Sequence, residues 1–302
     1  MSTPRIGFLG FGEVGQRFAA DLRARDGFLE LSAFDLLLHQ AAAGEAMRKH
    51  AAANRVEALT HVAGLSETPD LIFSAVTADQ TLVAAQSVAA SSLAGKWVVD
   101  LNSASPATKI ECAAVVQRAG GRYVEAAVMT SVPPHGIRVP ILLGGPHAKE
   151  GEDLLRSLGF SVEIASLEYG VASAIKLCRS VIIKGLESIV VESFTAARAF
   201  GVEGQVLASL RETYPQFDWE KQGDYLFSRV IQHGKRRAEE MRASAQMIDA
   251  SAVRGTMAAA IASRQDSVAR LRAKGAFAEP LQMRGWRERA DEFLAAAPAS
   301  VE

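Results

Sequence analysis

The sequence predicts an α/β N-terminal domain followed by an all-α C-terminal domain, and three observations predict it. Short apolar runs alternate with alanine-rich stretches through the first half. A glycine-rich turn follows the first of those runs directly. After about Leu167 the strand signal gives way to long helical periodicity. In chain order, strands are expected at residues 5–9, 29–34, 71–76, 97–100, 122–125 and 141–143, with helices such as 14–25 and 80–91 between them. That alternation is the pattern of strand–helix–strand units, which give a largely parallel sheet with helices on both faces. Residues 171–200 then form one long, mostly apolar helical segment, and 224–248 and 256–273 are amphipathic with basic faces. The boundary is placed near Ser166, giving domains of residues 1–166 and 167–302. No internal repeat of fixed period is present, and the alanine bias is ordinary for helices.

Length and charge narrow the function classes. A chain of 302 residues exceeds what one hydrophobic core usually organises. Lys plus Arg number 33 against 34 Asp plus Glu, a formal net charge of -1, so no global positive field gathers nucleic acid or anionic lipid. With 49% hydrophobic and 22% charged residues the chain can bury a substantial core. Cys112 and Cys178 stand far apart, which gives neither a disulfide framework nor a metal-ligand cluster, and a reducing compartment is expected. The apolar run after Arg5 is too short for a secretory signal and is broken by Gly7, Gly10, Gly12 and Gly15. No stretch approaches the ~20 apolar residues of a membrane span. The expectation is a soluble, cytoplasmic protein with a small-molecule substrate.

Gly10-Phe11-Gly12-Glu13-Val14-Gly15 is a G-x-G-x-x-G lying directly after a predicted strand and directly before a helix. The first glycine permits a tight turn, the second lets backbone N–H groups approach a pyrophosphate, and the third allows close helix packing, as in a Rossmann-type domain. Asp35 stands twenty positions after Gly15, where a carboxylate can accept both ribose hydroxyls of an adenosine and would repel a 2′-phosphate. Leu36, Leu37 and Leu38 bring no Arg to bind such a phosphate, so NAD is favoured, with NADP left open through Arg48, Lys49 or Arg55. The competing reading is that Asp35 only caps the next helix. Val76 and Thr77, at the end of the 71–76 strand, join the cofactor-binding set, as do Asn102 and Ser103. The latter two lie in Asp100-Leu101-Asn102-Ser103-Ala104-Ser105-Pro106, which ends a strand and enters a helix at Pro106. Either Ser103 or Ser105 is equally well read as an N-cap.

Lys176, Ser180 and Lys184 are spaced i, i+4, i+8 on a segment otherwise rich in Ile175, Leu177, Val181, Ile182, Ile183 and Leu186. Lysines seldom lie on a buried helix without a reason, and a cleft between the domains would supply one. There a partly desolvated Lys can transfer a proton to or from a substrate oxygen; the alternative is that both lysines snorkel to solvent. Lys235-Arg236-Arg237 is short and compensated by Glu239 and Glu240, a solvated helix face rather than a nucleic-acid patch. Tyr214, Phe217, Trp219, Tyr225 and Phe227 gather with Pro215 and are read as core or dimer interface.

These motifs resemble the β-hydroxyacid dehydrogenase superfamily, which includes 3-hydroxyisobutyrate dehydrogenase and 6-phosphogluconate dehydrogenase. Gly10, Gly12 and Gly15 match its dinucleotide fingerprint. Asp100 to Pro106 is similar to its D-x-S-T-x-x-P segment. Glu125-Ala126-Ala127-Val128-Met129-Thr130-Ser131 with Gly144-Gly145 is similar to D-A-P-V-S-G-G with its later G-G. Gly170 through Lys176 to Ser180 resembles G-x-x-x-K-x-x-N. The resemblance implies Lys176 as catalytic acid/base, Ser180 and Lys184 as companions, and Ser103, Met129, Thr130 and Ser131 at the substrate. It adds His233 and Arg236 as contacts to cofactor or an anionic substrate. Two departures stand out: Met129-Thr130-Ser131 replaces Ser-Gly-Gly, and Ser180 replaces the usual Asn. They indicate a divergent branch with a 6-phosphogluconate-dehydrogenase-like helical C-terminal domain. The expected activity is NAD(P)-dependent hydride transfer to or from the alcohol or carbonyl of a hydroxy-acid-like substrate. The alternatives are C=N reduction of the imine reductase type, against which the retained Lys176 argues, and a non-catalytic NAD(P)-binding protein. The long apolar helix opening the second domain predicts a homodimer through the C-terminal half.

Overall fold

The structure is a computed structural model that describes residues 4–27, 29–280 and 284–296. The chain divides into two compact units, Met1–Leu177 and Cys178–Glu302. This division falls later than Ser166 because the turn entering the first long helix is still tied to the sheet, through hydrogen bonds from Gly170 and Ser173 to Glu125.

In the first unit the elements run β1 (Ile6–Leu9), α1 (Glu13–Arg25), β2 (Leu31–Phe34), α2 (Ala43–Ala53), β3 (Val56–Ala58), α3 (Gly64–Glu67), β4 (Leu71–Ser74) and α4 (Thr81–Val88). They continue as β5 (Trp97–Asp100), α5 (Pro106–Arg118), β6 (Arg122–Val128), β7 (Ile141–Gly144), α6 (Ala148–Ser157) and β8 (Val162–Ser166). Among the described residues eight strands form one sheet in the order β3-β2-β1-β4-β5-β6-β7-β8. Strands β1 to β6 are parallel, β7 runs antiparallel to β6, and β8 pairs parallel to β7. The crossing from β1 to β4 is the point where strand order reverses, and open sheets of this kind bind ligands at the carboxyl ends of the strands beside it. Two strands escape the sequence reading. Edge strand β3 exposes Glu57 and Ala58, and β8 is buried only at Val162, so neither shows a continuous apolar run.

The sheet is covered on both faces. Phe8, Phe73, Phe18 and Phe160 pack ring against ring in one layer, and Leu65, Ile72, Val88, Cys112 and Val116 fill another. Burying a Phe or Leu side chain contributes roughly 1.5–3 kcal/mol, so these layers dominate the stability of the unit.

From β8 the chain enters α7 (Val171–Ala199), within which the unit division falls. The helical unit adds α8 (Glu203–Thr213), α9 (Trp219–Asp249), α10 (Thr256–Ala273) and α11 (Trp286–Ala296). Asp218 caps α9 by accepting from the Lys221 amide at 3.1 Å, which starts that helix before the expected residue 224. Phe194, Trp219, Phe227, Trp286 and Phe293 form its core. Of the aromatic cluster noted in the sequence, Trp219 and Phe227 belong to that core, while Tyr214 and Tyr225 are exposed. No helix of the described residues is long and apolar enough to cross a membrane.

Candidate active site

The glycine turn after β1 divides its work among three positions. Gly10 adopts φ +90, and a Cβ there would lie 2.5 Å from the Ala75 carbonyl oxygen. A Cβ at Gly15 would lie 2.7 Å from the Gly10 carbonyl oxygen, so the third glycine lets α1 approach the turn. At Gly12 nothing lies within 4 Å, which leaves open space against the start of α1. Gly12 is the N-cap of α1 and brings no side chain to its first-turn amides. An uncapped helix N-terminus behind an open glycine fits a pyrophosphate. Phe11 is buried, Glu13 is exposed and Val14 packs partly against the core.

Asp35 ends β2. Its Oδ2 accepts from the Phe11 amide at 2.8 Å, and its Oδ1 accepts from the Leu37 amide at 2.9 Å. It therefore caps the short Leu36–His39 turn and also joins that turn to the glycine loop. Each carboxylate oxygen has a second acceptor site, which leaves capacity for ribose hydroxyls. Arg48 holds the Leu38 carbonyl at 2.5 Å and that of Ala41 at 2.9 Å, and Lys49 pairs with Glu45 at 2.7 Å.

The loops after β4 and β5 are fastened together by Asn102. Its Oδ1 accepts from the Val76 amide at 2.6 Å, and its Nδ2 donates to Ser74 Oγ at 3.0 Å. Asn102 is buried, so the side chain expected at the cofactor braces the loop that presents Val76 and exposed Thr77. Beneath it Asp100 is buried in an ion pair with Lys109 at 2.8 Å and accepts from Tyr123 Oη at 2.6 Å. Burial and the neighbouring Asp100 push the Tyr123 phenol well above its usual range. Ser105 caps α5 by accepting from the Thr108 amide at 3.2 Å, and Pro106 takes the first helical turn.

Ser103 has a different neighbour. Lys176 Nζ donates to Ser103 Oγ at 2.5 Å, which joins the loop after β5 to the first turns of α7 within the sheet unit. Lys176 is half-buried. The start of α7 is held by Glu125 of β6, fully buried, which accepts from the Gly170 amide at 2.5 Å, the Ser173 amide at 2.6 Å and the Ser173 hydroxyl. At the end of β6, the Met129 amide donates to the Pro140 carbonyl at 2.9 Å; Thr130 is exposed and Ser131 half-buried.

The remaining expected residues lie in the helical unit. Ser180 is buried on α7. Lys184 is buried too, and its Nζ pairs with Glu240 Oε2 at 2.7 Å. The structure thus gives Lys184 an ion-pair partner on another helix of the same unit. Ile182 and Ile183, grouped with it in the sequence as apolar companions, are exposed. His233 is half-buried, and burial together with Arg229, Arg236, Arg237 and Arg272 lowers its pKa to about 4; Arg236 itself is exposed.

Three residues of the site network escaped the sequence reading as such: Lys109, Tyr123 and the helix-capping role of Glu125. A signal existed for Lys109, which shares an apolar stripe of α5 with Cys112, Ala113 and Val116. A lysine on such a stripe calls for a buried partner.

Residues 5–149 match the NAD binding domain of 6-phosphogluconate dehydrogenase, and residues 197–268 match a domain of unknown function, DUF1932. A conserved hypothetical protein from Sinorhizobium meliloti 1021 is 34% identical, with 98% of this chain and 97% of that one covered and a TM-score of 0.73. MTH1747, a conserved protein described as structurally similar to 3-hydroxyacid dehydrogenases, is 30% identical over 90% of this chain and 99% of its own, with a TM-score of 0.67. The chain belongs to the β-hydroxyacid dehydrogenase superfamily. The same fold occurs in 3-hydroxyisobutyrate dehydrogenase of Mycobacterium tuberculosis, at 17% identity, 88% and 94% coverage and a TM-score of 0.68. Membership of this superfamily makes the first unit an NAD-binding domain, in agreement with the open Gly12 and the uncapped α1.

Proposed function

We propose that this protein is an NAD-dependent oxidoreductase that moves a hydride between the nicotinamide and the alcohol or carbonyl carbon of a hydroxy-acid-like substrate, with Lys176 as general acid/base. One observation carries the reading: the Lys176 ammonium meets the Ser103 hydroxyl at 2.5 Å, beside the carboxyl end of β5. The pair can present a hydroxyl and a proton-transferring amine to a single substrate oxygen. When bound, NAD supplies the hydride-accepting chemistry. The chain supplies the rest. Gly12 and the first-turn amides of α1 hold the pyrophosphate, and Asp35 accepts from the adenosine ribose. Val76 and Thr77 stand along the cofactor on the loop that Asn102 braces. Ser103 orients the substrate oxygen, and Lys176 takes its proton as alcohol becomes carbonyl and returns it in the reverse direction.

Met129, Thr130 and Ser131 are assigned to the acid group of the substrate. Lys184 is assigned to its ion pair with Glu240. NAD is preferred over NADP because Asp35 would repel a 2′-phosphate and Arg48 already binds carbonyl oxygens. We assign the two thiols to a reducing cytoplasmic setting and the protein to a homodimer.

Titration of the purified protein with NADH and NADPH side by side tests the foundation, with tighter NADH binding expected. Binding of neither overturns the proposal. A panel of hydroxy acids and their carbonyl counterparts then tests the chemistry. Turnover that survives Lys176→Ala, or that is confined to C=N substrates, removes the assigned proton transfer.

A further inference from the structure

A fully buried glutamate in the middle of a sheet is costly unless every acceptor is matched. Glu125 has such matches, and they all come from one place. Oε2 accepts from the Gly170 amide at 2.5 Å, Oε1 accepts from the Ser173 amide at 2.6 Å, and the Ser173 hydroxyl also donates to Oε1. These donors form the first turn of α7, where backbone amides have no partners within the helix and the helix dipole favours negative charge.

The surrounding backbone is shaped to admit this carboxylate. A Cβ at Gly144 would stand 2.9 Å from Glu125 Oε2. At Gly145, with φ +104, a Cβ would meet the Tyr169 ring at 2.1 Å. The Tyr169 hydroxyl donates to the Tyr123 carbonyl at 3.2 Å, which closes the pocket from the other side.

Lys176 follows Ser173 by three residues, about one helical turn. Rotating α7 by one residue about its axis would swing Lys176 by about 100° and carry its ammonium away from Ser103. Strands β5 and β6 pair Asp100 with Glu125 in register, so the end of β5 that leads to Ser103 lies beside the carboxylate holding α7. The geometry points to Glu125 as a positioning residue: it fixes the phase of α7 so that Lys176 meets Ser103. This inference rests on Lys176 being the acid/base group of the proposed reaction, but it is tested without any substrate.

The test measures the pH dependence of Lys176 acetylation, by mass spectrometry, in the intact protein, with amide exchange of residues 171–176 measured alongside. In Glu125→Gln the pH at which Lys176 becomes reactive should fall, because the released helix turn takes the ammonium away from the Ser103 hydroxyl that accepts from it. Amide exchange in that turn should quicken about tenfold as its partners are lost. Ser173→Ala removes only the hydroxyl contact and leaves the Gly170 and Ser173 amides on Glu125, so exchange should quicken while the Lys176 midpoint stays at its wild-type value. An unchanged midpoint in folded Glu125→Gln overturns the inference. If Glu125→Gln does not fold, unchanged protection of residues 171–176 in Ser173→Ala overturns it equally. NADH affinity should stay within about twofold in both variants. Failure of the wild type to bind either dinucleotide would sink the proposed function while leaving these readings of Glu125 interpretable.

Discussion

Asp100 and Glu125 face each other in the β5–β6 register, both buried, and each is satisfied by a different kind of partner. Asp100 takes a lysine and a phenol, Lys109 at 2.8 Å and Tyr123 at 2.6 Å. Glu125 takes the amides of a helix N-terminus. Two neighbouring carboxylates can both be buried because each has its own donors: Lys109 of α5, Tyr123 of β6 and the Asn102 amide for Asp100, and the start of α7 for Glu125.

The Asp100–Lys109 pair should therefore be unforgiving to single changes. Removing one partner of a buried pair leaves an uncompensated charge and costs about 3–5 kcal/mol. Urea unfolding of Lys109→Met and Asp100→Asn should each show a loss of this order, with the double variant losing less than the sum. Additive losses would mean that the two side chains act independently.

Lys176→Ala should lower turnover by ~10² to 10⁴-fold, the range expected for removal of a general acid/base. Because Lys176 touches Ser103 and is absent from the glycine turn, NADH affinity should stay within about twofold. A matching loss of NADH affinity would mean that the variant disturbs the cofactor site itself. Ser103→Ala should give a smaller loss, about tenfold, since it orients the oxygen without carrying the proton.

Asp35→Ala should weaken NADH binding by about 10- to 100-fold, equivalent to ~1.5–3 kcal/mol for lost hydrogen bonds to a charged group. NADPH binding should weaken less, because the repelling carboxylate is gone. Part of the effect arises inside the protein, since Asp35 also accepts from Phe11 and ties the glycine loop down. Competitive titration of both dinucleotides separates the contributions: equal weakening of NADH and NADPH would assign Asp35 to loop structure alone.

The sheet domain was legible because its signals are local. A glycine turn between an apolar run and a helix determines φ at Gly10 and packing at Gly15 within a few residues, and Lys176 carried its own anomaly as a cation on an apolar helix. The bracing role of Asn102 is not legible in the sequence, because its partners Val76 and Ser74 lie across a sheet crossover and no spacing rule connects them. The ion pair of Lys184 is hidden in the same way. Its partner Glu240 sits on a different helix, and the ambiguity between a buried ion pair and proton chemistry is resolved only when that helix is placed. Strand β3 was lost because an edge strand with Glu57 and Ala58 exposed has no apolar run to show.

His233 provides a pH dependence with a definite sign. Burial and the surrounding Arg229, Arg236, Arg237 and Arg272 hold its pKa at about 4 in the folded protein, against an ordinary 6.5. The unfolded chain therefore binds more protons than the folded one between those values. Stability from this group is complete above pH 6.5 and is lost as pH falls toward 4. For a half-buried ring, solvent screening reduces the effect to about 1–2 kcal/mol. Urea midpoints measured at pH 7.5 and pH 4.5 should differ less in His233→Gln than in the wild type. Identical pH dependence in both proteins would show that the ring is accessible enough to titrate normally.

The exposed apolar surface of α7 leads to the last expectation. Ile182 is 72% exposed and Ile189 is 56% exposed, and a spacing of seven residues puts them on one side of the helix two turns apart. Two large aliphatic side chains left to water on one helix face lose the stabilisation that burial gives, roughly 1.5–3 kcal/mol each. A second copy of the chain can bury the same stripe on both protomers through a two-fold axis. Sedimentation equilibrium at micromolar protein should report twice the chain mass, and Ile182→Glu should shift the population to monomer without changing the NADH affinity of the sheet unit. A monomeric wild type would rule out the assembly, and a dimeric Ile182→Glu would move the interface away from this stripe.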